Sequence, residues 1–140
     1  MERYIVSACL IGMNTKYNGG NNKTDKIIEF LKDKEYITIC PEVQGGLKIP
    51  RAPSEIKNDK VINNLGIDVT KEFNEGTRKE IQRVKDFNAT VAILKSKSPS
   101  CGLNKIYDGT FTSTLKDGDG IFVKEIKKLG IKVLTELDFK

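Results

Sequence analysis

The chain of 140 residues has no histidine and no tryptophan, only three cysteines and only four prolines. The missing histidine excludes the most. It removes Ser-His-Asp and Cys-His nucleophile systems, His-ligated zinc, and the usual neutral-pH general base. Acid–base work falls to Glu, Asp, Lys, Tyr or bound water. An odd cysteine count leaves a thiol over after any disulfide, and no Cys-x-x-Cys pair supports ordinary four-ligand zinc. No apolar run approaches the length of a membrane span, so a membrane partner is not expected. Met1-Glu2-Arg3-Tyr4 leads straight into an apolar strand without a signal-peptide cleavage region, and a cytoplasmic location is expected. Neither GxGxxG nor a Walker loop occurs.

What is present reads as globular. Hydrophobic residues make up 38% and charged residues 31%, and the length suits one domain over 1–140 with a real core. The net charge of +5 comes from 24 basic and 19 acidic residues. The lysines are scattered over helix faces, as at Lys71, Lys79 and Lys85, and form no basic block. A solvated surface explains them better than a nucleic-acid footprint.

Tyr4-Ile5-Val6-Ser7-Ala8, Tyr36-Ile37-Thr38-Ile39, Thr90 to Lys95 and Ile131 to Leu134 read as strands. Thr24 is placed to cap a helix with an apolar face of Ile27, Ile28 and Leu31. Thr70 opens the longest helix, whose one face carries Phe73, Thr77, Ile81, Val84 and Phe87. A last helix with Phe122, Ile126 and Leu129 stops at Gly130. The stretch 40–55, with its prolines and glycines, predicts an irregular loop. The stretch 102–118 also predicts a loop, and a hairpin is expected to turn at Asn63-Asn64. Strands alternating with helices give an α/β fold: one three-layer domain with a mostly parallel sheet, Rossmann-like or flavodoxin-like.

Cys9, Cys40 and Cys101 each follow a strand. In a parallel sheet all strand C-terminal ends share one edge, and open α/β sheets bind their ligands there. Topology alone would then gather three residues from distant parts of the chain. Three thiolates on an iron–sulfur cubane would leave one iron without a protein ligand. Three unrelated buried thiols is the plain alternative, since cysteine is among the most buried residue types.

Six segments go further: VSACLIG (6–12) with KYNGG (16–20), CPEVQGGLKIPRAPSE (40–55), GIDVTKEF (66–73), LKSKSPSCG (94–102) and IYDGTF (106–111). In order and over nearly the whole chain, they resemble the thiouracil desulfurase (2-thiouracil desulfidase) family. The resemblance implies a 4Fe–4S cluster held by Cys9, Cys40 and Cys101. It implies that the fourth iron captures the sulfur of a thiolated pyrimidine such as 2-thiouracil. Water then replaces that sulfur, giving uracil and sulfide without net redox change. The expected partner is a small thiolated base. Asn18, where Asp is common, and Thr77, where Ala is common, depart from the family pattern.

Soft thiocarbonyl sulfur suits soft, under-coordinated iron, and its binding polarises the carbon that water attacks. That step needs a base and a donor. Glu42, two residues past Cys40, is the acid–base candidate, with Asp108 second to it. Ser98 and Ser100, flanking Pro99, are placed to donate to cluster sulfides or to substrate. Tyr17 is a candidate to stack on a planar base. Arg51, between Pro50 and Pro53, is expected to bind an acidic loop residue or the substrate. Gly45, Gly46 and Gly102 are expected to let backbone approach a ligand closely. Two rival readings keep the same chain: a metal-binding module that carries or traffics sulfur, and a metal-free nucleotide-binding domain.

Overall fold

A computed structural model describes all 140 residues. Four strands form a wholly parallel sheet: β1 (Arg3–Ser7), β2 (Glu35–Ile39), β5 (Val91–Leu94) and β8 (Lys132–Thr135), in the order β2-β1-β5-β8. Two separate antiparallel hairpins complete the strands: β3 (Ser54–Lys57) with β4 (Lys60–Asn63), and β6 (Lys105–Tyr107) with β7 (Leu115–Asp117). The helices are α1 (Asp25–Leu31), α2 (Pro41–Gln44), α3 (Thr70–Phe87) and α4 (Ile121–Lys128).

The central strands are apolar throughout because both faces are covered. Alternation sorts their side chains. Ile5, Ala92 and Leu94 pack with Val84 of α3 and with Phe122, Val123 and Ile126 of α4. Tyr4, Val6, Val91 and Ile93 turn the other way and meet Ile27 and Leu31 of α1. Helices therefore lie on both faces of the sheet, the expected three layers. The N-terminal half of α3 leaves the sheet: Phe73 packs with Ile56, Val61, Val69 and Ile106 of the hairpin region. One long helix thus ties the sheet to the hairpins.

Strand order reverses between β1 and β5. Such a reversal opens a crevice at the C-terminal ends of the two strands. No helix is long and apolar enough to cross a membrane.

The structure corrects the loop assignments. Segment 40–55 is not wholly irregular: Pro41 occupies the first helical position of α2, where its missing N–H costs nothing. The region 102–118 holds the short hairpin β6–β7, whose three-residue strands are too brief to show a period. The hairpin turn falls at Asn58-Asp59, both left-handed with φ of 50° and 64°, and not at Asn63-Asn64. Asn63 instead bends a second turn, its Oδ1 accepting from the Leu65 and Ile67 amides. Thr24 precedes α1, but its hydroxyl donates to the Asn22 carbonyl rather than capping the helix.

Candidate functional site

The three cysteines are delivered as the topology requires. Cys9 lies in the 3-10 turn Ala8–Ile11 directly after β1. Cys40 follows β2 and occupies the N-cap position of α2. Cys101 lies beyond β5, after the Ser98-Pro99-Ser100 turn. All three are free thiols, and all three line one cavity of about 500 Å³.

Each sulfur has a hydrogen-bond donor that is not titratable at neutral pH. Asn22 Nδ2 donates to Cys9 Sγ at 3.3 Å. The Val43 amide, in the first turn of α2, favours the Cys40 thiolate. Ser7 supplies the donor to Cys101 Sγ, while Ser100 Oγ lies 3.6 Å from the same sulfur. Burial is nonetheless the dominant influence and pushes all three thiols above the ordinary cysteine range, Cys101 furthest. Cys9 acts electrostatically on Cys40, and Cys40 on Cys101, so the three share one field.

No trio of Cys, Asp or Glu is close enough to grip a single ion. The thiols surround a volume instead. Soft donors spread around a cavity fit a multinuclear iron–sulfur group better than mononuclear zinc.

The Cys40 arm is held from behind by α3. Glu80, fully buried, accepts from the Cys40 amide at 2.7 Å through Oε2. Its Oε1 accepts from Arg83 at 2.7 Å, and Arg83 also donates to the Thr38 carbonyl of β2. One turn earlier, Gly76 lets α3 meet α2 backbone to backbone. A Cβ at Gly76 would stand 1.7 Å from the Pro41 oxygen, and one at Gly45 1.9 Å from the Glu72 oxygen.

A polar chain runs beside Cys101. Ser98 Oγ accepts from the Ser100 and Cys101 amides at 3.1 and 3.0 Å. Its own proton therefore points to Ser100 Oγ, 2.9 Å away. Ser100 Oγ donates in turn to Glu42 Oε2 at 3.0 Å. Arg51 Nε donates to Glu42 Oε1 at 3.0 Å, with side-chain exposures of only 9% and 16% for the pair. The Arg51 guanidinium also reaches the Thr15 carbonyl, and the Arg51 amide the Tyr17 carbonyl. Arg51 thus takes the acidic-loop-residue role, and Glu42 lines the cavity with a fixed orientation.

Tyr17 lines the cavity and is partly exposed. Asp108 does not line it. Its carboxylate accepts from the Thr110 amide and hydroxyl at 3.0 and 2.6 Å, and those bonds hold it below the usual range. It is a turn residue, its carboxylate held by the turn's own donors. Gly102 approaches the Ser98 carbonyl too closely for any Cβ, so its role is to close the cysteine turn.

Sequence reasoning missed Asn22, Glu55, Glu80 and Lys95. Lys95 lines the cavity beside Cys9 and is tied to Glu136 at 2.8 Å. Glu55 was visible in the 40–55 motif, but its burial was not.

Comparison with known proteins shows the family and the fold. A family model described as 2-thiouracil desulfurase matches residues 4–138. YbbK of Bacillus subtilis (strain 168), described as an uncharacterized protein, is 36% identical over 142 residues, covering 94% of this chain and 94% of its own. The solved structure of a 4Fe–4S-dependent thiouracil desulfidase, TudS, superposes with a TM-score of 0.92 at 34% identity, covering 99% of this chain and 93% of that one.

Proposed function

The chain belongs to the 2-thiouracil desulfurase family, and on that footing we propose that it is a 4Fe–4S-dependent desulfidase of thiolated pyrimidines such as 2-thiouracil. The observation that carries this reading is the convergence of three free thiols and the Glu42–Ser100–Ser98 chain on one cavity at the strand reversal.

Cys9, Cys40 and Cys101 would hold the cluster. When bound, it supplies a soft iron without a protein ligand, suited to a thiocarbonyl sulfur. The net reaction exchanges C=S and water for C=O and hydrogen sulfide, so no electrons are gained or lost. The chain's own residues must then handle protons. Glu42 accepts a proton from the attacking water, the role open to a carboxylate where histidine is absent. Ser100 and Ser98 form the donor chain that leads from Glu42 toward Cys101, and Arg51 keeps Glu42 from swinging away. Tyr17 offers an aromatic face to a planar base. A reducing cytoplasm suits this chemistry because it keeps the thiols unpaired.

The test uses protein prepared without oxygen. Wild type should carry about four irons and four acid-labile sulfides per chain, and should release sulfide from 2-thiouracil. Cys101→Ser should lose both properties. Equal iron content in the two proteins, or a fully loaded wild type that leaves every thiopyrimidine intact, would refute the assignment.

A further inference from the structure

One residue that lines the cavity has a carboxylate oxygen that no protein group uses. Glu55, on β3, is only 9% exposed and lines the cavity. Its Oε1 accepts from the Gly109 amide at 3.0 Å and from the Phe111 amide at 3.1 Å. Its Oε2 receives no hydrogen bond and joins no ion pair. Nor is Oε2 sealed in the protein interior, where the sole enclosed unpaired side-chain atom is the Thr77 hydroxyl. Glu42, the other carboxylate lining the cavity, has both oxygens committed, to Arg51 and to Ser100.

A thiolated pyrimidine such as 2-thiouracil has ring N–H groups next to its thiocarbonyl. Once desolvated, a ring N–H requires an acceptor, and a carboxylate oxygen that loses its water to a bound base requires a donor. Phe111, held through its amide by the same carboxylate, also lines the cavity. We propose that Glu55 determines substrate specificity here: Oε2 accepts a ring N–H of the thiolated base, while Oε1 fixes the segment that presents the Phe111 ring. The inference rests on the desulfidase reading and adds to it the group that recognises the base. Its competitor is a purely structural Glu55 that ties the 109–111 segment to β3.

The two roles separate in steady-state kinetics of the anaerobic holoenzyme on 2-thiouracil and its 1-methyl and 3-methyl derivatives. A site built around an N–H acceptor rejects an analogue that lacks the donor, so wild type should lose at least about 10²-fold in kcat/KM on one methyl derivative. Glu55→Gln keeps a carbonyl oxygen for the two amides but replaces the free acceptor with a donor. It should raise KM for 2-thiouracil by about 10²-fold with kcat nearly unchanged, and shrink the methyl penalty to within about fivefold. Iron content should stay that of wild type. An unchanged methyl penalty in Glu55→Gln overturns the proposal. If that variant does not fold, wild type alone decides: equal turnover of 2-thiouracil and both methyl derivatives overturns it. Turnover without methyl discrimination removes Glu55 only, whereas no turnover on any thiopyrimidine removes the desulfidase reading with it.

Discussion

Replacing Gly76 by alanine sets two physical effects against each other. In the middle of α3, alanine is the better helix former by about 1 kcal/mol. Packing says the reverse. The added methyl would lie 1.7 Å from the Pro41 oxygen and 2.8 Å from the Pro41 carbonyl carbon and the Gly45 nitrogen. These are backbone atoms, so no rotamer change relieves them, and α2 must move off α3 by more than an ångström. Overpacking of this kind costs about 1–3 kcal/mol. With backbone on one side the upper end applies, leaving a net loss of about 2 kcal/mol after the propensity gain. For a domain of this size that is a fall in Tm of about 5–10 °C. The functional consequence exceeds the thermal one, because α2 starts immediately after Cys40 and contains Glu42. Iron per chain after anaerobic reconstitution should therefore fall well below wild type, while Lys79→Ala, on the exposed face of the same helix, should match it. A Gly76→Ala protein that melts at or above the wild-type temperature with full iron content would refute the argument that α3 sets the position of the Cys40 arm.

Two further outcomes follow from side chains away from the cysteines. Thr77 has a buried hydroxyl without a partner, so Thr77→Val, which keeps shape and helix propensity, should stabilise the fold by about 1 kcal/mol in urea unfolding. Burial opposes ionisation of Glu136, but bonds from Lys95 and Ser96 outweigh it and hold its carboxyl below the usual range. A carboxyl depressed in the folded state adds stability that is complete above the unfolded value of about 4.3 and lost as pH falls through the folded one. Glu136→Gln should therefore be less stable than wild type at pH 7, and the gap should close below about pH 4; a constant gap from pH 7 to pH 3 would show that the ionised carboxylate contributes nothing.

The sheet was legible in the sequence because its strands are apolar runs, and α3 because its buried face repeats along a helix. The cysteines were legible for the same reason: each follows a strand, and strand direction settles which edge it reaches. The remaining site residues depend on pairings that no local pattern encodes. Ser100 meets Glu42 across 58 positions, and Glu55 meets Gly109 across 54. Asp108 and Glu55 show the difference directly. Asp-Gly at 108–109 is a local turn signal, and the aspartate is spent on that turn. Glu55 carries no local signal, yet Glu55 lines the cavity and Asp108 does not. The short helix α2 was hidden because prolines at 41, 50 and 53 read as breakers, although the first of them starts a helix.

The absence of histidine shapes the electrostatics of the whole site. Lys95 favours the Cys9 thiolate and Arg51 that of Cys40, but Glu136 opposes the first and Glu42 the second. Each nearby cation arrives with its own carboxylate, so neither supplies a net charge to the pocket. Burial then prevails, and the empty pocket favours neutral thiols. Binding a cluster must expel their protons, which ties loading to pH: higher pH favours it, because fewer protons remain to be displaced. What the fold offers the sulfurs in place of net charge is a set of oriented neutral donors: Asn22, the Val43 amide and Ser7. Such donors stabilise thiolate without attracting a competing anion, and they leave Glu42 as the cavity's proton acceptor. The arrangement delivers soft, deprotonated ligands only when a metal group is there to claim them, and it does so without histidine.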